Sequence, residues 1–439
     1  QPTFGACSKN YAVILTDAEP SEDLDTPVLA RQLLPGFAAT LGRSDCDGTG
    51  EGRCLDDIAE YLSKIDLDEN APGKQSVITH TIGYNVDLPL LAETAADSGG
   101  QYFQANDMQS LTRVMQEIAG NVTERGVSFV TPTIPVNSYN RTQNLNELYY
   151  AVFGVRGNVR WPGNLKRYAI LDNEIVDSRG NAAIDPSTGQ FSSLAQSFWS
   201  SAVDGNSVEL GGAASRIPDT TTRNVYTNIA GSALTAAANS VTEANANAFS
   251  DADLGLTGSN EEPSKLELIR WIRGGERESS ATDGRREMGD PLHSQPAAVV
   301  YGGSPLAARV VIYVATNDGY LHAVDGRTGV ELWSFIPEEF LSDMTRRYFD
   351  PAARYKSYGI DGNIVPVVKD VDGDGEIEPA DGDFVYIIFG MRRGGSKYYA
   401  LDVTNETIPS VLWTAEYPEF GESWSTPSIA KIDISGVLQ

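Results

Sequence analysis

The sequence predicts a mixed fold with an incomplete α/β domain, a small β module and the first blades of a β-propeller. Three observations support this prediction. Strand-like and helix-like segments alternate at the start of the chain, the hydrophobic pattern then changes to period two, and a repeat of strands with a constant frame occupies the end. With an insertion or linker before the repeat, the predicted boundaries are 1–125, 126–177, 178–288 and 289–439.

The α/β part is predicted from the order strand, helix, strand, helix, strand, helix, which is typical of a doubly wound, Rossmann-like parallel sheet. Its elements are Tyr11–Asp17, a helical face of Leu55, Ile58, Leu62 and Ile65, then Ser76–Gly83, Leu88–Ala96, Gln101–Gln104 and a helix over Leu111, Met115 and Ile118. The last helix has capping-box spacing from Asn106 to Gln109. Since only three strands are visible, we expect the C-terminal part of a domain.

The β module follows, where Ser128–Val136, Leu148–Val155 and Asn164–Asp172 alternate or are rich in β-formers between Asn, Gly and Pro turns. An antiparallel arrangement is expected. The next part is dominated by Ser, Asn, Ala, Thr and Gly, and Ala230–Asn260 has little apolar periodicity. We therefore expect a long surface insertion or a flexible linker there.

Each unit of the repeat has the same order of elements: a strand, a glycine-containing turn, a second strand that ends in Ala-x-Asp, a loop, and a third strand that contains Leu-Trp. Val310–Asp325 is the first copy of the paired strands and Asp383–Asp402 the second. Units of this kind, about 40 to 50 residues long, are typical of propeller blades, and about three would fit. Trp333 and Trp413 are expected in the blade cores. Pro296–Val300 and Pro427–Ile432 are expected to open successive blades.

Composition limits the partners. The chain has 33 Lys and Arg against 60 Asp and Glu, a net charge of −27. Such a chain repels phosphate backbones and anionic headgroups, so we expect no nucleic acid, whereas divalent cations fit well. No run reaches about 18 apolar residues, so no membrane-spanning segment is predicted.

The three cysteines predict one local disulfide. Cys46 and Cys54 lie eight residues apart in a Gly- and Asp-rich loop, which leaves Cys7 over. The first residues lack a basic segment followed by an apolar one. Either a signal peptide has been removed or the chain begins partway through a longer protein. The leftover Cys7 favours the second, since its partner could lie upstream.

The strongest chemical motif is the nine-residue run DVDGDGEIE, which matches D-x-D-x-D-G-x-x-E. Calcium prefers six to eight hard oxygen ligands, and such a loop turns alternate residues inward. The predicted metal ligands are Asp370, Asp372, Asp374, the Glu376 backbone carbonyl and Glu378. An EF-hand has a bidentate Glu at position 12, whereas this chain has Asp381 and β-type flanks. We expect calcium in a strand connection; the alternative is an acidic surface turn.

The remaining candidates are weaker. The loop Asp45–Glu51 has a broken ligand pattern and is explained by its disulfide and glycines. Asp17 ends a strand at an edge where α/β folds bind ligands, but a helix N-cap is equally open. His80 is interpreted as a core histidine. The histidines, cysteines and serines form no catalytic motif, so no enzyme activity is expected.

Five runs of sequence resemble the type IV pilus tip adhesins of the PilY type. These are Asn140–Arg167, Asp290–Gly303, Val314–Pro337, Asp370–Glu378 and Phe389–Val403. Upstream, Tyr11–Pro20 resembles the later half of a von Willebrand factor A domain, which members of the family carry before the propeller. The metal site of that domain also uses an earlier motif that this chain lacks.

The resemblance implies an exported calcium-binding adhesin at the pilus tip or cell surface. Its implied roles are pilus assembly, control of extension and retraction, surface attachment and sensing, with minor pilins and a host or abiotic surface as partners. In the family the calcium loop has ligands at positions 1, 3, 5, 7 and 9, which match the residues above, although Glu378 replaces a shorter acid. The alternative is a quinoprotein dehydrogenase, whose propeller has a similar blade. A vicinal cysteine pair would favour this alternative, and the sequence has no such pair.

Overall fold

The structure is a computed structural model. It describes residues 10–21, 26–47, 51–67, 75–108, 110–111, 114–115, 118, 128–129, 146–185, 191–279, 284–304, 307–353, 355–417, 419, 421–430, 433–434 and 437–438. Cys7 lies outside these residues. The chain divides into two compact units, Gln1–Arg125 and Gly126–Gln439, called here the N-terminal and C-terminal units and described separately.

The N-terminal unit alternates strands and helices. Its elements are β1 (Asn10–Thr16), α1 (Thr26–Leu33), α2 (Phe37–Leu41), α3 (Leu55–Lys64), β2 (Val77–Tyr84), α4 (Pro89–Ser98) and β3 (Tyr102–Ala105). The strands form a parallel sheet in the order β1-β2-β3. The predicted parallel α/β arrangement is therefore present in the described residues.

The buried residues of this unit explain the local pattern. His80 in β2 is 1% exposed, and its Nδ1 accepts a hydrogen bond from the Gln101 N–H at 3.1 Å. The predicted core histidine is confirmed. The predicted disulfide between Cys46 and Cys54 is present and is packed in a small core with Tyr61 of α3. The helix after β3 is capped by Asp107, whose Oδ1 accepts from the Ser110 N–H, one residue later than predicted.

The C-terminal unit begins with an antiparallel sheet. Its strands are β4 (Ser128–Phe129), β5 (Glu147–Phe153), β6 (Pro162–Leu171) and β7 (Glu174–Val176), joined at β6 by a later strand, β9 (Met288–Gly289). The pairings β4–β5, β5–β6 and β6–β7 are all antiparallel, as predicted for this part. Residues 130–145, which include the end of the predicted first strand, lie outside the described residues.

Two four-stranded antiparallel meanders follow. The first contains β10 (Ala297–Gly302), β11 (Arg309–Ala315), β12 (Leu321–Asp325) and β13 (Glu331–Phe335). After the short helices α6 (Glu338–Leu341) and α7 (Met344–Phe349), the second contains β14 (Ile364–Lys369), β15 (Phe384–Gly390), β16 (Tyr398–Asp402) and β17 (Ser410–Ala415). We call them the first and second sheets.

The two sheets contain both copies of the repeat identified in the sequence. Side chains of both pack into one large core.

The segment expected to be an insertion or flexible linker is packed into that core. Its short strand β8 (Val225–Tyr226) pairs in parallel with β13 of the first sheet. Leu234, Val241 and Leu254 are fully buried there, as are several side chains of α5 (Lys265–Ile272). The expectation of a flexible linker is therefore wrong for the described part of this segment. Its apolar residues are spaced irregularly because turns and 3₁₀ helices, rather than regular elements, present them to the core.

Trp413 also departs from its prediction. Trp333 is 1% exposed, as expected for a blade core, whereas Trp413 is 45% exposed. The outer edge of β13 is covered by β8. In contrast, β17 is the last strand of its sheet, residues 232–233 meet its outer edge at Ser410 and Val411, and half of its residues are exposed. Trp413 therefore occupies the same position in the repeat as Trp333 but is much more exposed to solvent.

The strand predicted to open a third blade is not observed either, because residues 427–430 are not in a strand. The next strands are a short pair, β18 (Asp433–Ile434) with β19 (Val437–Leu438). The described fold is mixed, with several sheets, none of which closes. Among the described residues no helix combines the length and apolarity needed to span a bilayer.

Candidate metal centre

The acidic loop connects the first two strands of the second sheet. β14 and β15 are antiparallel, with Lys369 opposite Phe384, so the loop begins at Asp370 and ends at Asp383. The strands on either side are rich in β-branched and aromatic residues, which explains why no helices flank the loop. Its position in a strand connection agrees with the interpretation of the sequence.

Three of the predicted ligands lie together. One carboxylate oxygen from each of Asp370, Asp372 and Asp374 lies within 4.8 Å of the other two. The loop backbone folds around Asp370, whose Oδ1 accepts from the Gly373 N–H at 2.6 Å and whose Oδ2 accepts from the Gly375 N–H at 2.9 Å. Both glycines have positive φ values, 80° and 88°, which other residues rarely adopt. These glycines therefore allow the turn that brings the carboxylates together.

The protonation of two of these acids is perturbed in opposite directions. Slight burial raises the pKa of Asp370, but hydrogen bonds from the Gly375 and Gly373 N–H groups outweigh it, so the pKa is lowered. The backbone hydrogen bond from Asp374 lowers the pKa of Asp372. Desolvation, a hydrogen bond to Asp370 and the nearby negative charges outweigh it, so that pKa is raised. Carboxylates so close to each other repel when both are ionised.

The other two predicted ligands are placed differently. The Glu376 side chain extends to the first sheet, where Oε1 accepts from the Gly303 N–H at 2.6 Å and Oε2 from Arg309 Nη2 at 3.1 Å. Only its backbone carbonyl is therefore available to the loop, as the prediction requires. Glu378 is exposed, and a hydrogen bond and negative charge from Asp381 raise its pKa. Its side chain is outside the group of three carboxylates.

Asp383 is a loop residue whose role the sequence did not indicate. It is 5% exposed, and its two oxygens accept from the Val371 N–H at 2.8 Å and the Glu378 N–H at 2.9 Å. These bonds tie together the two ends of the nine-residue motif. The only sequence signal is an acid directly before an apolar run, and that pattern predicts that Asp383 is the first residue of the strand.

The loop is also attached to the first sheet. Ile377 is 5% exposed in the common core, and its N–H donates to the Tyr301 carbonyl of β10 at 3.0 Å. The Tyr301 hydroxyl in turn donates to the Val403 carbonyl beside the second sheet at 2.7 Å. Arg309 bridges Glu376 to Glu406, with an Nη1–Oε1 distance of 3.1 Å. The conformation of the loop and the contact between the two sheets therefore depend on each other.

The weaker candidates are not brought to this loop. Asp17 is exposed directly after β1 in the N-terminal unit. Residues 48–50 of the cysteine loop lie outside the described residues. His293 bonds through Nδ1 to Asp361 at 2.8 Å, and His322 through Nδ1 to Glu331 at 2.6 Å.

The comparisons with known proteins identify one group of relatives. "Type IV pilus biogenesis factor PilY1" of Pseudomonas aeruginosa (strain UCBPP-PA14) is 25% identical over 386 residues, which are 78% of this chain and 29% of that protein. "Type IV pilus biogenesis factor PilY1 homolog" of Xylella fastidiosa (strain Temecula1) is 30% identical over 197 residues, 37% of this chain and 15% of that protein. The chain thus spans less than a third of the length of these relatives. No family model matches it.

Among solved structures, the C-terminal domain of Pseudomonas aeruginosa PilY1 is 28% identical to this chain, with a TM-score of 0.20. The matched region is 28% of this chain and 23% of the chain in that structure. That score is too low to support the fold. These relatives are named as biogenesis factors and not as dehydrogenases. The resemblance expected from the sequence motifs is confirmed: the chain is similar in sequence to type IV pilus biogenesis factors of the PilY type.

Proposed function

We propose that this chain is part of a calcium-binding adhesin at the type IV pilus tip. In this role it supports pilus assembly, control of extension and retraction, surface attachment and sensing. The sequence relatives named as pilus biogenesis factors support the pilus association. The single structural observation behind calcium binding is the convergence of Asp370, Asp372 and Asp374 in a loop with two positive-φ glycines.

The described residues fit a hard cation. Three carboxylates supply oxygen ligands, which calcium prefers over nitrogen or sulfur, and the proposed fourth ligand is the Glu376 backbone carbonyl. Glu378, which is exposed beside Asp381, completes the proposed set directly or through water. Bound calcium would supply positive charge among these acids. Affinity is expected in the micromolar to millimolar range, because position 12 lacks the bidentate Glu.

The protein's own residues then transmit the effect of the ion. With the repulsion among the carboxylates removed, the hydrogen bonds around Asp370 hold one loop conformation. That conformation positions Ile377 against Tyr301 and Glu376 against Arg309 on the first sheet. Calcium would thereby stiffen the contact between the two sheets. We propose that pilus behaviour depends on this contact, which transmits force when the pilus retracts.

An export route and extracytoplasmic partners follow from this proposal. Minor pilins at the pilus tip and a host or abiotic surface are the proposed partners. The net charge of −27 favours contact with cationic groups or with divalent cations that bridge to another acidic surface.

The test measures calcium-dependent stability in the C-terminal unit. All six tryptophans lie in this unit, so their fluorescence reports its unfolding alone. Calcium at about 100 times its dissociation constant should stabilise the wild-type unit by roughly 2.7 kcal/mol. Asp370→Ala should abolish this gain, whereas Asp381→Ala, an exposed acid outside the proposed set, should retain it. An unchanged calcium effect in Asp370→Ala would contradict the proposal.

A second experiment separates a switch from a structural ion. Asp374→Lys places an ammonium among the remaining carboxylates and should imitate the occupied loop. Pilus number and twitching should then differ between cells carrying Asp374→Lys and cells carrying Asp370→Ala. Identical phenotypes with normal protein levels would remove the regulatory role while leaving the calcium site.

A further inference from the structure

The N-terminal unit contains a second group of carboxylates, at the start of helix α3. Asp47 belongs to the preceding loop, and Asp56 and Asp57 to the first turn of the helix. The Cys46–Cys54 disulfide joins this loop to the residue before the helix. The Asp47 N–H donates to Asp57 Oδ2 at 3.0 Å. One carboxylate oxygen from each of the three acids lies within 4.8 Å of the others.

Two of these acids are buried, unlike those of an ordinary acidic surface. Asp57 has no exposed surface and Asp56 only 7%. Arg43 Nε donates to Asp57 Oδ1 at 2.6 Å, so Asp57 has partners for both oxygens. In contrast, Asp56 Oδ1 is buried and has no hydrogen-bond partner among the residues that the structure describes. A buried ionised oxygen without a partner is strongly unfavourable, which indicates a missing ligand.

The surrounding charges fit a divalent ion. The cluster combines four carboxylates with two basic side chains, namely Asp47, Asp56, Asp57, Glu60, Arg43 and Lys64. Both basic groups pair with Glu60, and Arg43 also reaches Asp47 and Asp57. The formal sum at neutral pH is −4 + 2 = −2. The helix N-terminus favours ionised acids in its first turn. Burial acts against this and raises the pKa of Asp56 to about 6 and also the pKa of Asp57, so this formal charge is reached only near neutral pH and above.

We propose that Asp47, Asp56 and Asp57 bind a hard divalent cation, with calcium as the expected ion. Carboxylate oxygens are the ligands that such ions prefer. Asp56 contributes the oxygen that has no protein partner, and Asp57 connects the ion to Arg43. The bound ion holds the disulfide-bonded loop against α3. This site is separate from the loop of the C-terminal unit and is independent of the proposed function.

The test counts calcium bound to the full 439-residue chain by equilibrium dialysis and calorimetry at neutral pH. Asp56→Asn keeps the side-chain shape and should bind one calcium equivalent fewer than its parent. Asp45→Asn is the matched control, because Asp45 is an exposed acid of the same loop whose partners are Arg31 and the Cys46 N–H. It should bind as many ions as the parent. Both variants are compared in the wild-type and Asp370→Ala backgrounds, so that the two sites are counted separately.

A second variant keeps the test decisive if Asp56→Asn fails to fold. Asp47 has 60% of its side chain exposed, so Asp47→Asn should fold normally and weaken this binding step by about tenfold or more. An unchanged calcium count in folded Asp56→Asn overturns the proposal. So does an unchanged affinity in Asp47→Asn. If Asp56 carries a proton instead of contacting an ion, Asp56→Asn will stabilise the unit without changing the calcium count, and this outcome also overturns the proposal.

Discussion

Asp383 should determine the stability of the acidic loop although it is outside the ligand motif. Asp383→Ala removes the acceptor of two backbone N–H groups, those of Val371 and Glu378. A hydrogen bond to a charged group contributes about 1.5–3 kcal/mol. Both donor residues are exposed, so water replaces part of each bond. We therefore expect Asp383→Ala to lower the free energy of unfolding of the C-terminal unit by about 3 kcal/mol.

The assay is urea unfolding followed by tryptophan fluorescence, in EDTA so that bound calcium does not contribute. Asp383→Asn keeps one carbonyl acceptor of the same size and should lose about half as much stability as Asp383→Ala. Asp381→Ala, at an exposed position two residues away, controls for removal of negative charge. If Asp383→Ala unfolds at the same urea concentration as Asp381→Ala, the two bonds do not hold the loop and the reasoning fails. If the two variants differ in EDTA but unfold at the same urea concentration in calcium, the bound ion replaces the two hydrogen bonds of Asp383.

Two further results are expected. Burial alone would raise the pKa of Glu331, but Arg223 and His322 outweigh it and lower the pKa to about 2. Ionised Glu331 should therefore contribute about 3 kcal/mol to the free energy of unfolding above pH about 4.5, and this contribution should disappear as the pH falls toward 2. In fluorescence-detected unfolding, the stability of Glu331→Gln should depend less on acid pH than that of the wild type. Trp333→Ala should cost about 3–5 kcal/mol because the side chain is fully buried, whereas Trp413→Ala at the exposed edge should cost under about 1 kcal/mol. Equal losses of stability for the two tryptophan variants would contradict this difference in packing.

Several regular elements were predicted well because their signals are local, although helices α1 and α2 were not predicted. The apolar runs of β1 and β2 and the helical spacing of α3 agree with the structure to within a few residues. The repeat likewise indicated both four-stranded sheets. In each case the signal is the type and spacing of residues within one element, and no distant contact is needed to read it.

Contacts between distant segments were not predictable in this way. The sequence around Leu234 and Leu254 has no periodicity, yet both side chains are fully buried. Trp333 and Trp413 occupy equivalent positions in the repeat, but the strand of Trp333 pairs with β8 at its outer edge, whereas residues 232–233 meet the strand of Trp413 at Ser410 and Val411 and leave Trp413 exposed. Burial at these places depends on which other segment packs against them, and residue spacing within the segment carries no information about that partner.

In the candidate metal centre, too, some features follow from the local sequence and others only from the tertiary structure. The sequence alone determined the spacing of Asp370, Asp372 and Asp374 and the glycines that permit the turn, because ligand order in a tight loop is a local property. Only the tertiary structure decided that Glu376 reaches the first sheet and that Asp383 closes the loop. It also decided which acids are buried, because burial of a charge depends on the packing of the whole unit rather than on neighbours in sequence.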